Sequence, residues 1–121
     1  MKGLIYALGL AGLLMFTDCK KVFNPEEPVN ISPVAYFKQT AYTIYLGERI
    51  EFDASSSYDR DGIITDYEWD FNDGTLGFGK IIKYEYKNIG RFHPSLTITD
   101  NKGAKTKCYN SSGKSVTVLK R

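Results

Sequence analysis

The sequence predicts an all-β fold, a two-sheet antiparallel β-sandwich of about seven short strands. Three observations carry this. Apolar residues alternate with a period of two, turn signals recur between the alternating runs, and no segment beyond Pro33 carries a helical stripe. Aromatic residues make up 14% of the chain, and their bulk suits a pleated, half-buried surface.

The longest run goes from Ile63 to Phe71. Its odd positions Ile63, Thr65, Tyr67, Trp69 and Phe71 form one face, and its even positions Ile64, Asp66, Glu68 and Asp70 form a mostly charged one. Successive side chains of a strand point to opposite faces of a sheet, so this reads as a half-buried strand. Ile82, Tyr84 and Tyr86 alternate with Lys83, Glu85 and Lys87 in the same way. Phe92, Pro94, Leu96 and Ile98 alternate with His93, Ser95, Thr97 and Thr99. Pro94 cannot donate to a ladder, so a bulge or a local edge is expected there. Shorter strands are expected at Val34–Lys38, Tyr42–Tyr45, Arg49–Asp53 and Ser115–Leu119. Between them lie Leu46-Gly47-Glu48, Asp61-Gly62, Asn72-Asp73-Gly74, Asn88-Ile89-Gly90 and Asn101-Lys102-Gly103. Gly and Asn supply the backbone angles that tight turns require. Trp69, Phe71, Tyr86 and Leu96 are the expected structural core, with Tyr84 beside them.

A chain of 121 residues supports one such domain. Hydrophobic and charged fractions of 42% and 25% exclude wholesale disorder. Two Cys and one His exclude a disulfide-rich scaffold and argue against a Cys- or His-built zinc centre. A net charge of +2 gives no ground for a nucleic-acid partner.

The body is preceded by two segments of different character. Residues 1–19 hold Lys2 and then an uncharged, almost wholly apolar run from Gly3 to Phe16, which suits a secretory signal or a membrane anchor. Phe16-Thr17-Asp18-Cys19 resembles a bacterial lipobox, which makes Cys19 the lipidation candidate. Asp18 departs from the small residue usual there. Lipidation at Cys19, an uncleaved anchor stopped by Lys20-Lys21, and conventional cleavage remain the alternatives. Residues 20–32, with Pro25, Pro28 and Glu26-Glu27, read as an extended spacer, leaving 33–121 as the folded domain.

The stretch from Phe52 through Ser55-Ser56-Ser57-Tyr58-Asp59-Arg60-Asp61-Gly62, followed by Tyr67-Glu68-Trp69-Asp70-Phe71-Asn72-Asp73-Gly74, strongly resembles the polycystic-kidney-disease (PKD) domain family. Gly90-Arg91-Phe92 and Leu96-Thr97-Ile98-Thr99-Asp100-Asn101-Lys102-Gly103 are similar to its closing strands, so the likeness runs from about Val34 to Leu119. Asn72 stands where the family usually has a second Gly, and Asn also tolerates left-handed backbone angles. The resemblance implies an immunoglobulin-like sandwich. It also implies extracytoplasmic contact with envelope or extracellular proteins or glycans, as a non-catalytic module held at the membrane by the N-terminal segment. The alternative is a purely structural envelope spacer without a discrete ligand. The stretch Cys108–Ser112 reads as an insertion relative to the family, placed at a loop end.

Asp59-Arg60-Asp61-Gly62 reads either as a polar turn or as a calcium site, which makes calcium the one cofactor candidate. Hard cations take several oxygen ligands, and Asp59 and Asp61 are spaced to converge in a loop. An immunoglobulin-like sandwich brings that loop beside Asp100, and Asn30 in the incoming segment is expected at the same end. Tyr58, Arg60 and Tyr109 are the expected binding residues of that end, since aromatic and Arg side chains dominate contact surfaces. Asp66, Glu68 and Asp70 share a strand face at about 7 Å spacing, within the range of glycosidase pairs, yet an exposed strand face supplies no cleft. His93 has no nucleophile motif near it. These points argue against an enzyme.

Charge is unevenly distributed. Glu48–Asp73 holds nine acids against two bases, and Gly74–Arg121 holds ten bases against two acids. Either the strands interleave and the field cancels, or an acidic and a basic face result that suit contact between copies. Cys19 and Cys108 form a disulfide only if Cys19 carries no lipid.

Overall fold

The computed structural model describes residues 28–110, 113 and 115–121. The leader, Cys19 and most of the spacer lie outside the described residues. Among those described, the elements are all strands: β1 (Lys38–Gln39), β2 (Thr43–Tyr45), β3 (Ile50–Asp53), β4 (Ile64–Asp70), β5 (Leu76–Phe78), β6 (Ile81–Tyr84), β7 (Gly90–Phe92), β8 (Ser95–Asp100), β9 (Lys105–Tyr109) and β10 (Val116–Leu119).

They form three hydrogen-bonded sheets, ordered β1-β3-β6, β2-β10-β7 and β5-β4-β8-β9. All pairings are antiparallel except β2 with β10, which run parallel, a departure from the purely antiparallel expectation. Phe52 from β3 meets Trp69 of β4 at 5.5 Å between ring centroids and Phe71 at 5.6 Å, which ties the first sheet to the third. Phe37 closes edge-on over Trp69 at 5.1 Å. The sheet of β2, β10 and β7 adds Ile44, Val116 and Val118 to the same core. Trp69, Phe71, Tyr86 and Leu96 are fully buried or nearly so. Polar tips in the core are satisfied: the Trp69 indole donates to the Gly79 carbonyl at 2.7 Å and the Tyr86 hydroxyl to the Phe71 carbonyl at 3.0 Å.

The local departures have physical causes. The register of β4 on β8 shifts between Ile64 and Asp66, so Thr65 is the extra residue of a bulge. The alternation therefore changes phase there, leaving Ile64 half-buried against the core and Ile63 exposed. Pro94 falls in a break between β7 and β8, two short strands in place of the single run expected over Phe92–Thr99. Lys105–Cys108 and Tyr109, part of which the sequence assigns to an inserted loop, form β9 paired along β8.

The incoming segment is tied down before Pro33. Asn30 and Ile31, assigned to the spacer by composition, bond to Asp100 and Asp61. The Pro33 carbonyl then accepts the Thr106 hydroxyl at 2.7 Å, and Val34 bridges Tyr58.

Candidate functional site

The acidic end of the sandwich is built by three segments: residues 59–62 leading into β4, the β8–β9 turn, and the incoming chain at Asn30–Ile31. The β8–β9 turn is organised by Asp100, a buried carboxylate. Its Oδ1 accepts the backbone N–H of Lys102 at 2.9 Å and of Ala104 at 2.8 Å, and its Oδ2 accepts the Asn30 side-chain amide at 2.8 Å. Burial alone would raise the Asp100 carboxyl. These donors outweigh it and hold it below the usual carboxylate range. Asp61 is also held low, chiefly by the Ile31 backbone N–H, which donates to Oδ2 at 2.8 Å.

Asp59 is different. Both of its carboxylate oxygens are closed off from solvent, and neither has a hydrogen-bond partner. Its carboxyl is pushed up first by desolvation and then by the adjoining Asp61 side chain, with the Asp61 and Asp100 charges adding to the effect. Gly62 gives it room. A Cβ there would overlap the Asn101 side-chain oxygen and come within 2.9 Å of Asp59 Oδ2. That Asn101 oxygen accepts the Ile63 N–H at 3.1 Å and so anchors the loop to the β8–β9 turn.

The structure thus brings Asn30, Asp59, Asp61 and Asp100 to one end. Among the described residues no three Asp, Glu, His or Cys side chains converge as a ready-made metal centre. Asp59 feels the charges of Asp61 and Asp100, and desolvated carboxylate oxygens are the ligand type a hard cation would take.

Tyr58 and Arg60 are exposed at this end, Tyr58 at 49%. Tyr109 is not with them. It pairs with Ser95, at the far end of β9 from Lys105, about 13 Å along the strand. The expectation of a shared surface is therefore corrected, because the residues read as an inserted loop are a strand that carries Tyr109 away. Cys108 faces inward against the core, where burial pushes its thiol up to about 11. Sequence reasoning missed Tyr36, which is 46% exposed and fixed by reciprocal bonds between its backbone and the Ser57 hydroxyl at 2.9 and 2.7 Å. Its signal was present, since Tyr36 sits between Ala35 and the buried Phe37 and must point outward.

Known proteins share this fold. A profile of the PKD domain matches residues 30–116. The chain belongs to the PKD domain family. The match begins at Asn30, whose side-chain amide donates to Asp100. Collagenase ColA of Clostridium perfringens is 34% identical over 96 residues, covering 79% of this chain but 8% of that protein. The pre-pro-metalloprotease PrtV of Vibrio cholerae is 32% identical over 74 residues, 61% of this chain and 8% of its own length. The PKD chain thus spans less than a tenth of these curated relatives. Among solved structures, the PKD1 domain of Vibrio anguillarum Epp superposes with a TM-score of 0.63 at 28% identity, covering 77% of this chain and all of that one. A chain described in a study of promiscuous specificity in carbohydrate-binding modules of the β-sandwich superfamily gives a TM-score of 0.70 at 36% identity, covering 77% of this chain and 36% of its own.

Proposed function

We propose that this PKD domain is a non-catalytic, exported binding module, tethered to a membrane by its N-terminal segment. In this reading the acidic end contacts an extracellular protein or glycan, and calcium held by Asp59, Asp61, Asp100 and Asn30 stiffens it. The observation that carries the calcium part is the desolvated, partnerless carboxylate of Asp59. A cation there would remove the repulsion among three carboxylates and pin the incoming chain, through Asn30 and Ile31, to the β8–β9 turn. Tyr58 and Arg60 supply the contact groups, an aromatic face and a planar cation suited to protein or sugar. The likeness to a domain of a collagenase and to a carbohydrate-binding-module structure favours a matrix protein or polysaccharide as the partner class.

The test is retention on fibrillar collagen and on insoluble polysaccharides, with and without calcium. Loss of retention in both Tyr58→Ala and Arg60→Ala, with the fold intact, supports the reading. Failure of the wild-type chain to be retained on any matrix overturns it.

A further inference from the structure

Beyond contact with a foreign ligand, we propose that the outer face of the β5-β4-β8-β9 sheet is a self-association surface whose partner is a second copy of this chain. The register fixes which residues share that face. Tyr67 and Trp69 pair with Ile98 and Leu96 on the core side, so the intervening residues stand outward. Outward on β4 are Asp66, Glu68 and Asp70. Opposite them on β8 stand the half-buried Thr97 and Thr99, with Ser95 buried at the end of that column, and beyond those on β9 stand Lys105, Lys107 and Tyr109. At the other edge, β5 turns Leu76 and Phe78 outward at 52% and 70% exposure. Three acids of the acidic block and two lysines of the basic block thus run as parallel columns on one face, separated by short hydroxyl side chains.

One row across the sheet reads Phe78, Glu68, Thr97, Lys107. Glu68 and Lys107 are two strand spacings apart, about 10 Å at Cα. Neither has an ion-pair partner among the described residues. Lys107 instead lies 5.5 Å from the centroid of its own neighbour Tyr109. A two-fold axis parallel to the strands, between β4 and β8, keeps each row opposite the same row of the second copy and reverses its order. Lys107 then comes over the Phe78 ring of the other chain and beside its Glu68, and Glu68 meets the other Thr97 hydroxyl. The adjoining row sets Leu76 against the second copy's Tyr109. Every contact occurs twice, as an isologous interface requires. The short central column lets the sheets approach to the ~10 Å of aligned packing. Four strands by five residues cover only about 19 by 17 Å, so the association is weak and ionic strength controls it.

The test is sedimentation of the full chain in neutral detergent across a concentration series at ~50 mM and ~500 mM salt. Dimer is expected at low salt and monomer at high salt. Glu68→Lys and Lys107→Glu each turn two attractions into two repulsions and should raise the dimer Kd about tenfold or more. An equimolar mixture of the two variants restores complementarity and should dimerise again, which a generic loss of folding would not allow. A wild-type chain that stays monomeric at low salt overturns the proposal. So does association that neither reversal weakens, as leader-driven clustering would give, or a mixture that stays monomeric.

Discussion

The two ends of β4 carry Asp-rich turns of similar composition with opposite hydrogen bonding. After β4, Asp70 Oδ1 accepts the Asn72 N–H at 2.9 Å, and Asp73 accepts the Thr75 N–H at 3.0 Å and the Tyr84 hydroxyl at 2.5 Å. Asn72, at a positive φ of 67°, accepts the His93 N–H at 2.9 Å. All these acceptors are used, and the turn is held against the aromatic core through Tyr84, which stacks on Phe71 at 3.7 Å. Before β4, Asp61 and Asp100 are similarly employed, but both carboxylate oxygens of the half-buried Asp59 are closed off from solvent and unbonded. Satisfied carboxylates build structure. A desolvated one left unpaired costs stability, and that cost is the ground for the calcium proposal.

The contrast presupposes a rigid frame, and the largest effect comes from breaking that frame. Trp69→Ala removes the ring that touches Phe37 and Phe52 and leaves the Gly79 carbonyl without its indole donor. The expected cost is about 3–5 kcal/mol, much of a small domain's stability of about 5–15 kcal/mol. Both ends should then melt together, in a single early transition followed by circular dichroism. Separate transitions for the two ends would show that they are not parts of one cooperative unit.

In the proposed reading calcium acts on one end only. At a free concentration about 100 times Kd, binding adds about 2.7 kcal/mol, or about 10–20 °C in Tm for a domain of this size. Asp59→Asn should abolish that rise. In chelator the same variant should melt at or above the wild-type temperature, because it removes a charge that Asp61 and Asp100 repel. Differential scanning calorimetry of the two proteins with and without calcium checks the crossing of the two orders. A variant that melts well below wild type in chelator would mean that Asp59 has an internal partner after all.

Much of this contrast was legible in the sequence, and the misses share a cause. The alternation in β4 and β8 is strong because Trp69, Leu96 and Ile98 face inward against charged or hydroxyl neighbours. In β5 the inward residue is Gly77, where a Cβ would come within 2.7 Å of Ile82 and 2.9 Å of Phe71, while Leu76 and Phe78 point out. In β9 the inward residues are Thr106 and Cys108, with Tyr109 outward. Both strands invert the usual polarity of the pattern, so neither reads as a strand, and the position of Tyr109 was lost with β9. The convergence of Asp59, Asp61 and Asp100 came from the resemblance to the family. Periodicity alone says nothing about which loops meet in space.

The satisfied end can be probed at smaller cost. Tyr84→Phe removes the hydroxyl that Asp73 accepts while keeping the ring stacked on Phe71. A half-buried hydrogen bond to a charged acceptor is worth about 1–2 kcal/mol. The loss should be the same with and without calcium, measured by denaturant midpoint. A calcium-dependent loss would couple the two ends and collapse the distinction between them.

The smallest effect is in the pH profile, and it has opposite signs within the acidic end. Asp61 and Asp100 lie below the ordinary 3.8 in the folded chain. Their contribution is therefore present above pH 3.8 and is lost as pH falls through their folded values. Asp59 lies above 3.8, so its contribution is present below that pH and is lost as pH rises through its folded value, when the unpaired charge appears. In chelator, Tm of Asp59→Asn minus that of wild type should be most positive above the raised value, shrink as pH falls through it, and vanish below pH 3.8. The acid limb set by Asp61 and Asp100 should remain in both proteins. With calcium present the wild-type advantage should appear only where Asp59 is ionised, since the ligand form of a carboxylate is the charged one. A wild-type profile identical with and without calcium across this range would leave the buried Asp59 charge uncompensated by that ion.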